Sequence, residues 1–415
     1  MAAPAAAKRP YWQAPATAAG AAEANKRHRT AAAPAHMDAE PEQEDQPLLP
    51  GLPDHLAQLC LAPLPPRLLH AVCRPWRRLL YSPSFPPFLA LYAVLDDEAA
   101  FAGSGVSFAA YDAVAGRWDE LPAPPMPSPP PRLWHPAFLS RRLPLQSVAA
   151  GGRLVLVAGS TRALAPALPR PVVFDPAARA WRLGPRLPFA PRRWCAAGAA
   201  RGRVFVAGGV GAGYDASDAR SGATWDPAAA AAAAAAWEPI PPMRDARFSR
   251  DAAEAVCAAG KVCMVSLRGR GAKEGAVFDL RAARWEDMPP GMLAGWKGPA
   301  AAAAAGGDED ETTIFVVDEE RGALSAYDWA GDRWRTVVES ERLKGAAEMA
   351  AGGGRVCVAA QGGDKVLVVD VAPSRSRRWG TPAAAEPRPQ VWEVEAPPGK
   401  RVVALHVLPR MARAD

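Results

Sequence analysis

Cysteine and histidine are both scarce in this 415-residue chain, at six of each. Cys60, Cys73, Cys195, Cys257, Cys263 and Cys357 form no C-x-x-C pair and no regular framework. That argues against a zinc ribbon or a disulfide scaffold and fits reduced thiols of the cytosol or nucleus. Beyond residue 88 the histidines are His135 and His406, and no His/Cys/Asp cluster has ligand spacing, so neither a metal nor a cofactor is expected. Long apolar runs are missing too. No stretch approaches the ~18 uninterrupted apolar residues of a membrane span, and the N-terminus has no signal-type h-region, so membrane insertion and secretion are not expected. Catalytic signatures are equally sparse: no G-x-S-x-G elbow and no P-loop occurs, and Gly352-Gly353-Gly354 precedes a strand, where a turn is the simpler reading. The net charge is +6, but the arginines are spread along the chain instead of lining one helix, so no nucleic-acid interface is expected.

What is present falls into three parts. Residues 1–46 are Ala-, Pro- and charge-rich with almost no large aliphatics, a composition that cannot offset the entropy of ordering, and they read as a disordered tail. Lys8-Arg9 and Lys26-Arg27-His28-Arg29 have the look of a split nuclear-import signal or of a solvated basic tail. Residues 47–88 switch to helical spacing. Asp54 is placed to cap a helix from His55, with Leu56, Leu59 and Cys60 on one face, and a second helix is expected over Arg67–Tyr81 with Leu68, Leu69, Val72, Cys73, Trp76, Leu79 and Leu80 as its apolar stripe. Pro75 falls inside that second helix, where it should remove a backbone hydrogen bond. A unit of about 40 residues is too small to be secure alone and calls for a partner.

Residues 89–410 carry an internal repeat. An aromatic followed by Asp, a turn, and then Trp recurs at Tyr111-Asp112/Trp118, Phe174-Asp175/Trp181, Phe278-Asp279/Trp285 and Tyr327-Asp328/Trp334, with stretched units at Trp225-Asp226/Trp237 and Val369-Asp370/Trp379. Short β-rich runs ending near glycine precede most units, as in Val204–Gly209 and Val356–Gly363. Such repeats of short strands predict a six-bladed β-propeller, because stacked blades cover both apolar faces of each sheet. The first unit lacks its opening strand, and residues 401–408 supply a spare one at the far end that would close the ring.

The array resembles kelch repeats, and Leu52-Pro53, Leu56, Leu61, Leu64-Pro65, Leu68, Val72-Cys73, Trp76 and Leu79 resemble an F-box. Together with the stretches at 249–256 and 273–279, the chain is similar to plant F-box/kelch-repeat proteins. The resemblance implies a mainly β protein that is not an enzyme: the substrate-recognition subunit of an SCF-type ubiquitin ligase. Leu52, Pro53, Leu56, Cys60, Leu61, Leu64, Pro65, Leu68, Val72, Cys73, Trp76 and Leu79 would then meet the Skp-type adaptor, and through it the cullin–RING ligase. The propeller would capture a protein target, in some family members an enzyme of phenylpropanoid or flavonoid synthesis, in the cytoplasm or nucleus. A kelch scaffold without ligase activity is the alternative. The segment 217–225 is a near miss to the Asp-box of sialidase propellers, occurs once, and reads as a turn.

Blade topology assigns recognition to the face bearing the second-to-third and fourth-to-first strand connections, whose longer loops are 121–146, 185–199, 210–223, 238–253, 268–275 and 289–299. Arg192, Arg193, Trp194, Arg244, Arg247, Arg250, Arg268, Arg270 and Lys273 make this face basic, and Trp296 is expected as an apolar anchor for an acidic patch on the target.

Overall fold

The computed structural model describes residues 47–82, 84–97, 106–128, 131, 145–161, 163–213, 215–229, 236–246, 248, 253–266, 273–304, 312–371 and 389–412. The basic tail, Trp379, His135, Arg247, Arg250, Arg268 and Arg270 lie outside them.

Three short helices open the described chain: α1 (Asp54–Leu61), α2 (Pro66–Val72) and α3 (Arg74–Tyr81). The continuous helix expected over 67–81 is broken at Cys73, which is extended (φ −155°, ψ 167°). Pro75 is the reason. A proline inside a helix would clash with the carbonyl four residues back, whereas in the first turn its missing N–H costs nothing, so the chain restarts there. Arg77 seals the break by donating from Nε to the His70 carbonyl at 2.9 Å. Asp54 likewise does not cap: it lies in the first turn of α1 after Pro53, where its charge suits the helix dipole, and its Oδ1 accepts from the Leu48 N–H at 3.3 Å.

The remainder is a ring of six four-stranded antiparallel sheets. Blade 1 takes β1 (Leu89–Asp97), β2 (Val106–Asp112) and β3 (Arg117–Glu120); blade 2, β4 (Leu145–Ala150), β5 (Arg153–Gly159), β6 (Val172–Asp175) and β7 (Ala180–Leu183); blade 3, β8 (Ala196–Ala200), β9 (Arg203–Ala207), β10 (Gly222–Trp225) and β11 (Glu238–Ile240). A short helix, α4 (Ala216–Arg220), precedes β10. Blade 4 comprises β12 (Ala253–Ala258), β13 (Lys261–Ser266), β14 (Glu274–Asp279) and β15 (Arg284–Asp287), and is followed by α5 (Pro290–Gly295). Blade 5 holds β16 (Ala300–Ala304), β17 (Thr312–Asp318), β18 (Ala323–Asp328) and β19 (Arg333–Glu339); blade 6, β20 (Ala346–Gly352), β21 (Arg355–Ala360), β22 (Lys365–Asp370) and β23 (Val391–Glu395). The final strand, β24 (Lys400–Pro409), returns to pair with β1 from Leu89↔Pro409 to Asp97↔Lys400 and completes blade 1.

The repeated residues have separate jobs. Each Asp of the aromatic–Asp pair folds its own turn: Asp112 Oδ1 accepts from the N–H groups of Val114 and Ala115 at 2.8 and 2.9 Å, and Asp279 Oδ1 from those of Arg281 and Ala282 at 2.9 and 2.8 Å. Four residues after the Asp the backbone turns left-handed, at Gly116, Arg179, Ala283 and Asp332. The Trp then joins blades. Trp118, Trp181, Trp237, Trp285 and Trp334 each donate from Nε1 to a carbonyl of the preceding blade or the segment that follows it, namely Glu395, Pro122, Pro185, Pro241 and Met292. Each also packs into the apolar cluster on that side, beside the repeat aromatic. In blade 6 the outer strand begins at Val391, not near Trp379; Val391 faces Val369 and takes the tryptophan's place in the cluster shared with blade 5. The glycine pairs survive where backbones crowd: a Cβ on Gly209 (φ +82°) would lie 2.7 Å from the Arg193 carbonyl oxygen, and one on Gly363 (φ +69°) 2.7 Å from that of Val402.

Candidate functional site

The helical unit divides its apolar residues between two duties. Leu61, Leu69, Leu79, Leu80, Tyr81 and Phe85 bury themselves in a small core, with Leu64, Trp76, Phe88 and Val114 partly buried against it. Trp76 also donates from Nε1 to the Leu48 carbonyl at 2.7 Å. Leu52, Leu56, Leu59, Leu68 and Val72 remain 38–70% exposed. Of the predicted adaptor-facing residues, Leu52, Pro53, Leu56, Cys60, Pro65, Leu68 and Val72 are therefore at the surface, Leu64, Cys73 and Trp76 half-buried, and Leu61 and Leu79 turned inward. Leu59, which the helical period aligns with Leu56 but the F-box pattern does not mark, is the most exposed of the apolar set at 70%. Four aliphatic side chains on α1 and α2, with Leu52 just ahead of α1, thus form an apolar surface that faces water.

This surface is fixed to the side of the ring that carries the first-to-second and third-to-fourth strand turns. Tyr81, at the end of α3, donates from Oη to Asp112 Oδ2 at 2.6 Å, and Asp112 opens the third-to-fourth strand turn of blade 1. The longer connections emerge on the opposite face, and they are unevenly distributed. Blades 2 to 4 present 160–171, 184–195, 208–221 and 288–299, whereas blades 5 and 6 have only 319–322, 340–345, 361–364 and 396–399. Among the described residues, the connections on this face are thus longer on blades 2 to 4 than on blades 5 and 6.

Several residues expected to line that face are instead part of its foundations. Arg192 is 1% exposed. Its guanidinium donates to the carbonyls of Gly208 and Ser221 at 2.8 and 3.2 Å and to Ser221 Oγ at 2.9 Å, and lies over the Phe189 ring. It ties the loop entering blade 3 to the loop crossing its top. Arg193 and Trp194 are buried as well, stacked on each other at 4.4 Å, and the Arg193 backbone bridges Val210. Trp296 is no exposed anchor: it is fully buried between blades 4 and 5 against Met292, Ile314 and Tyr327. Its Nε1 donates to Glu254 Oε2 at 3.3 Å, while its carbonyl accepts from Lys273 Nζ. α5 turns this ring inward because so large an apolar surface gains more in a core than in a solvated loop. Lys273 is half-buried, and burial lowers its pKa. Arg244 is exposed and lies 3.7 Å from Asp287.

Among the described residues no group of three or more His, Cys, Asp or Glu is placed to hold a metal ion. All six cysteines are free. Burial pushes the Cys195 thiol up to about 11 and the Cys263 and Cys357 thiols to about 12, which suits packing, not nucleophilic attack. No described helix is long and apolar enough to cross a membrane.

No family model matches the chain. It is 40% identical over 384 residues to the F-box/kelch-repeat protein SKIP25 of Arabidopsis thaliana, an alignment covering 90% of this chain and 92% of that protein. A second Arabidopsis thaliana sequence, named as an F-box/kelch-repeat protein, is 27% identical over 157 residues, covering 34% of this chain and 42% of its own length.

Proposed function

The chain belongs to the plant F-box/kelch-repeat family, and from that premise we propose that it is the substrate-recognition subunit of an SCF-type E3 ubiquitin ligase. The observation that carries the reading is the row of water-facing aliphatics on α1 and α2, held on the opposite side of the ring from the longer loops. A Skp-type adaptor covers Leu52, Leu56, Leu59, Leu68 and Val72, and the cullin–RING ligase is recruited through it. The loop face holds the target, with Arg244 and Lys273 among its described basic groups and Arg247, Arg250, Arg268 and Arg270 as its remaining candidates. Catalysis of bond chemistry is not assigned to this subunit; its contribution is proximity, raising the effective concentration of target lysines near the conjugating enzyme. Six free cysteines suit work in the cytoplasm or nucleus. Enzymes of phenylpropanoid and flavonoid synthesis are the first targets to try.

Reconstitution with a purified Skp-type adaptor tests the proposal. Co-elution of the two, lost when Leu56 and Leu68 are both replaced by Asp, is the expected result. A folded protein that ignores the adaptor while its propeller still captures a target would leave a kelch scaffold without ligase function.

A further inference from the structure

Residues 409–412 lie where three parts of the molecule meet. On blade 1, Tyr92 Oη donates to the Pro409 carbonyl at 2.8 Å, fastening the end of the closing strand. On blade 2, the Ala412 N–H donates to the Pro176 carbonyl at 2.9 Å, and Arg179 Nη1 donates to the Ala412 carbonyl at 3.0 Å. On the helical unit, Arg410 does the work. It is 7% exposed. Its backbone N–H donates to the Phe88 carbonyl at 2.8 Å and its Nη2 to the Ser82 carbonyl at 2.9 Å, just past α3. Its guanidinium also lies over the rings of Tyr81 and Phe88, at 5.4 and 5.8 Å. The Tyr81–Asp112 bond completes the knot, with both residues buried. An open pocket of about 220 Å³ lined by Tyr81, Asp112, Arg179, Arg410 and Met411 lies alongside.

We propose that residues 409–412 form a latch that makes presentation of the helical docking surface conditional on closure of the propeller ring. The helical unit is too small to be secure by itself. The end of α3 is anchored by Asp112 of β2 and by Arg410, and Arg410 reaches it only when β24 adds to β1. If the ring opens or β24 is missing, the part-buried Ser82 carbonyl loses the Arg410 guanidinium and the Tyr81 ring loses the cation over it, a cost that loosens α3. Coupling of this kind is reciprocal, so loosening α3 also weakens closure. On the substrate-receptor reading, a chain whose target-holding ring is incomplete does not offer the ligase a fixed docking surface. The latch itself does not depend on that reading.

Hydrogen–deuterium exchange on the full chain tests it, with Tyr81→Phe, Arg410→Ala and Leu405→Ala. Leu405 is buried in the core between blades 6 and 1, on β24 and away from the helices. Val173→Ala, in the blade 2 core, is the control. The expected result is faster exchange of the α3 amides in all three variants, by about tenfold, with α3 unchanged in the control. If Leu405→Ala leaves α3 exchange unchanged, the latch is overturned even where Arg410→Ala loosens the helix, because closure then does not reach it. Adaptor binding by the same variants reads the consequence, with several-fold weaker binding expected for Arg410→Ala. If the unaltered protein binds no adaptor, the ligase reading fails and the exchange result alone decides the latch.

Discussion

Replacing Leu56 and Leu68 by alanine is expected to weaken adaptor binding while leaving the fold untouched. These side chains are 43% and 46% exposed. Fully burying a leucine is worth about 1.5–3 kcal/mol, so the part still facing water offers about 0.7–1.4 kcal/mol to a partner. Alanine keeps the Cβ, which lowers the expected loss to about 0.5–1 kcal/mol, or about two- to fivefold in affinity, for each site. Lying on different helices, the two changes should add to about tenfold. Leu69 is the contrast. It belongs to the same unit but is fully buried, so Leu69→Ala should cost about 2–5 kcal/mol of folding stability. Titration calorimetry against a purified Skp-type adaptor, with a melting curve of each variant, separates the two effects. Full affinity in the double variant, from a protein that binds the adaptor, would refute the assignment of this surface.

Other outcomes follow from the fold. Ala283→Gly should raise the melting temperature, because Ala283 holds φ +50° and a left-handed L-residue costs about 1–2 kcal/mol, more than the added flexibility of glycine; Gly209→Ala should do the reverse. Trp285→Phe should cost about 1 kcal/mol in chemical denaturation, since the ring still packs on Phe278 but the 2.8 Å bond to the Pro241 carbonyl is gone. Arg192→Ala should lower stability by about 3 kcal/mol or more by orphaning the Ser221 and Gly208 groups, so the loss of any binding in it reports unfolding and not recognition. His406 is buried beside Ser147, and desolvation lowers its pKa to about 4. The unfolded chain therefore takes up a proton before the native one as pH falls, and stability should drop between about pH 6.5 and 4. His406→Gln should flatten that part of a stability–pH curve, leaving the acid loss due to carboxylates such as Asp279 and Asp328, both held at about 2 by their hydrogen bonds.

Much of this was written in the order of residues, and part of it was not. The aromatic–Asp–turn–Trp repeat specified the outer hairpin of most blades because each of those residues acts within its own turn or against the adjoining blade. The closing strand was legible for a similar reason: the first unit lacked a strand that Arg401–Leu408 could supply. The interruption of the second helix could have been read from Pro75 by placing it in a first turn instead of an interior. In blade 6 the repeat failed as a guide because Val391, not a tryptophan, faces Val369, while the adjacent Trp392 packs on the side of blade 1.

Exposure is what the linear order could not assign. An arginine in a long loop and an arginine clamped under that loop have the same sequence surroundings, so Arg192 and Trp296 looked like rim residues until Gly208, Ser221 and the blade 4–5 core were seen to enclose them. Composition and periodicity settled the wheel and the leucine-bearing helices, since both follow from local spacing. Which leucines face water, which arginines are pillars, and that the end of the last strand also grips the first helices were decided by contacts between residues as far apart as Ser82 and Arg410, because burial is a property of what the chain folds against.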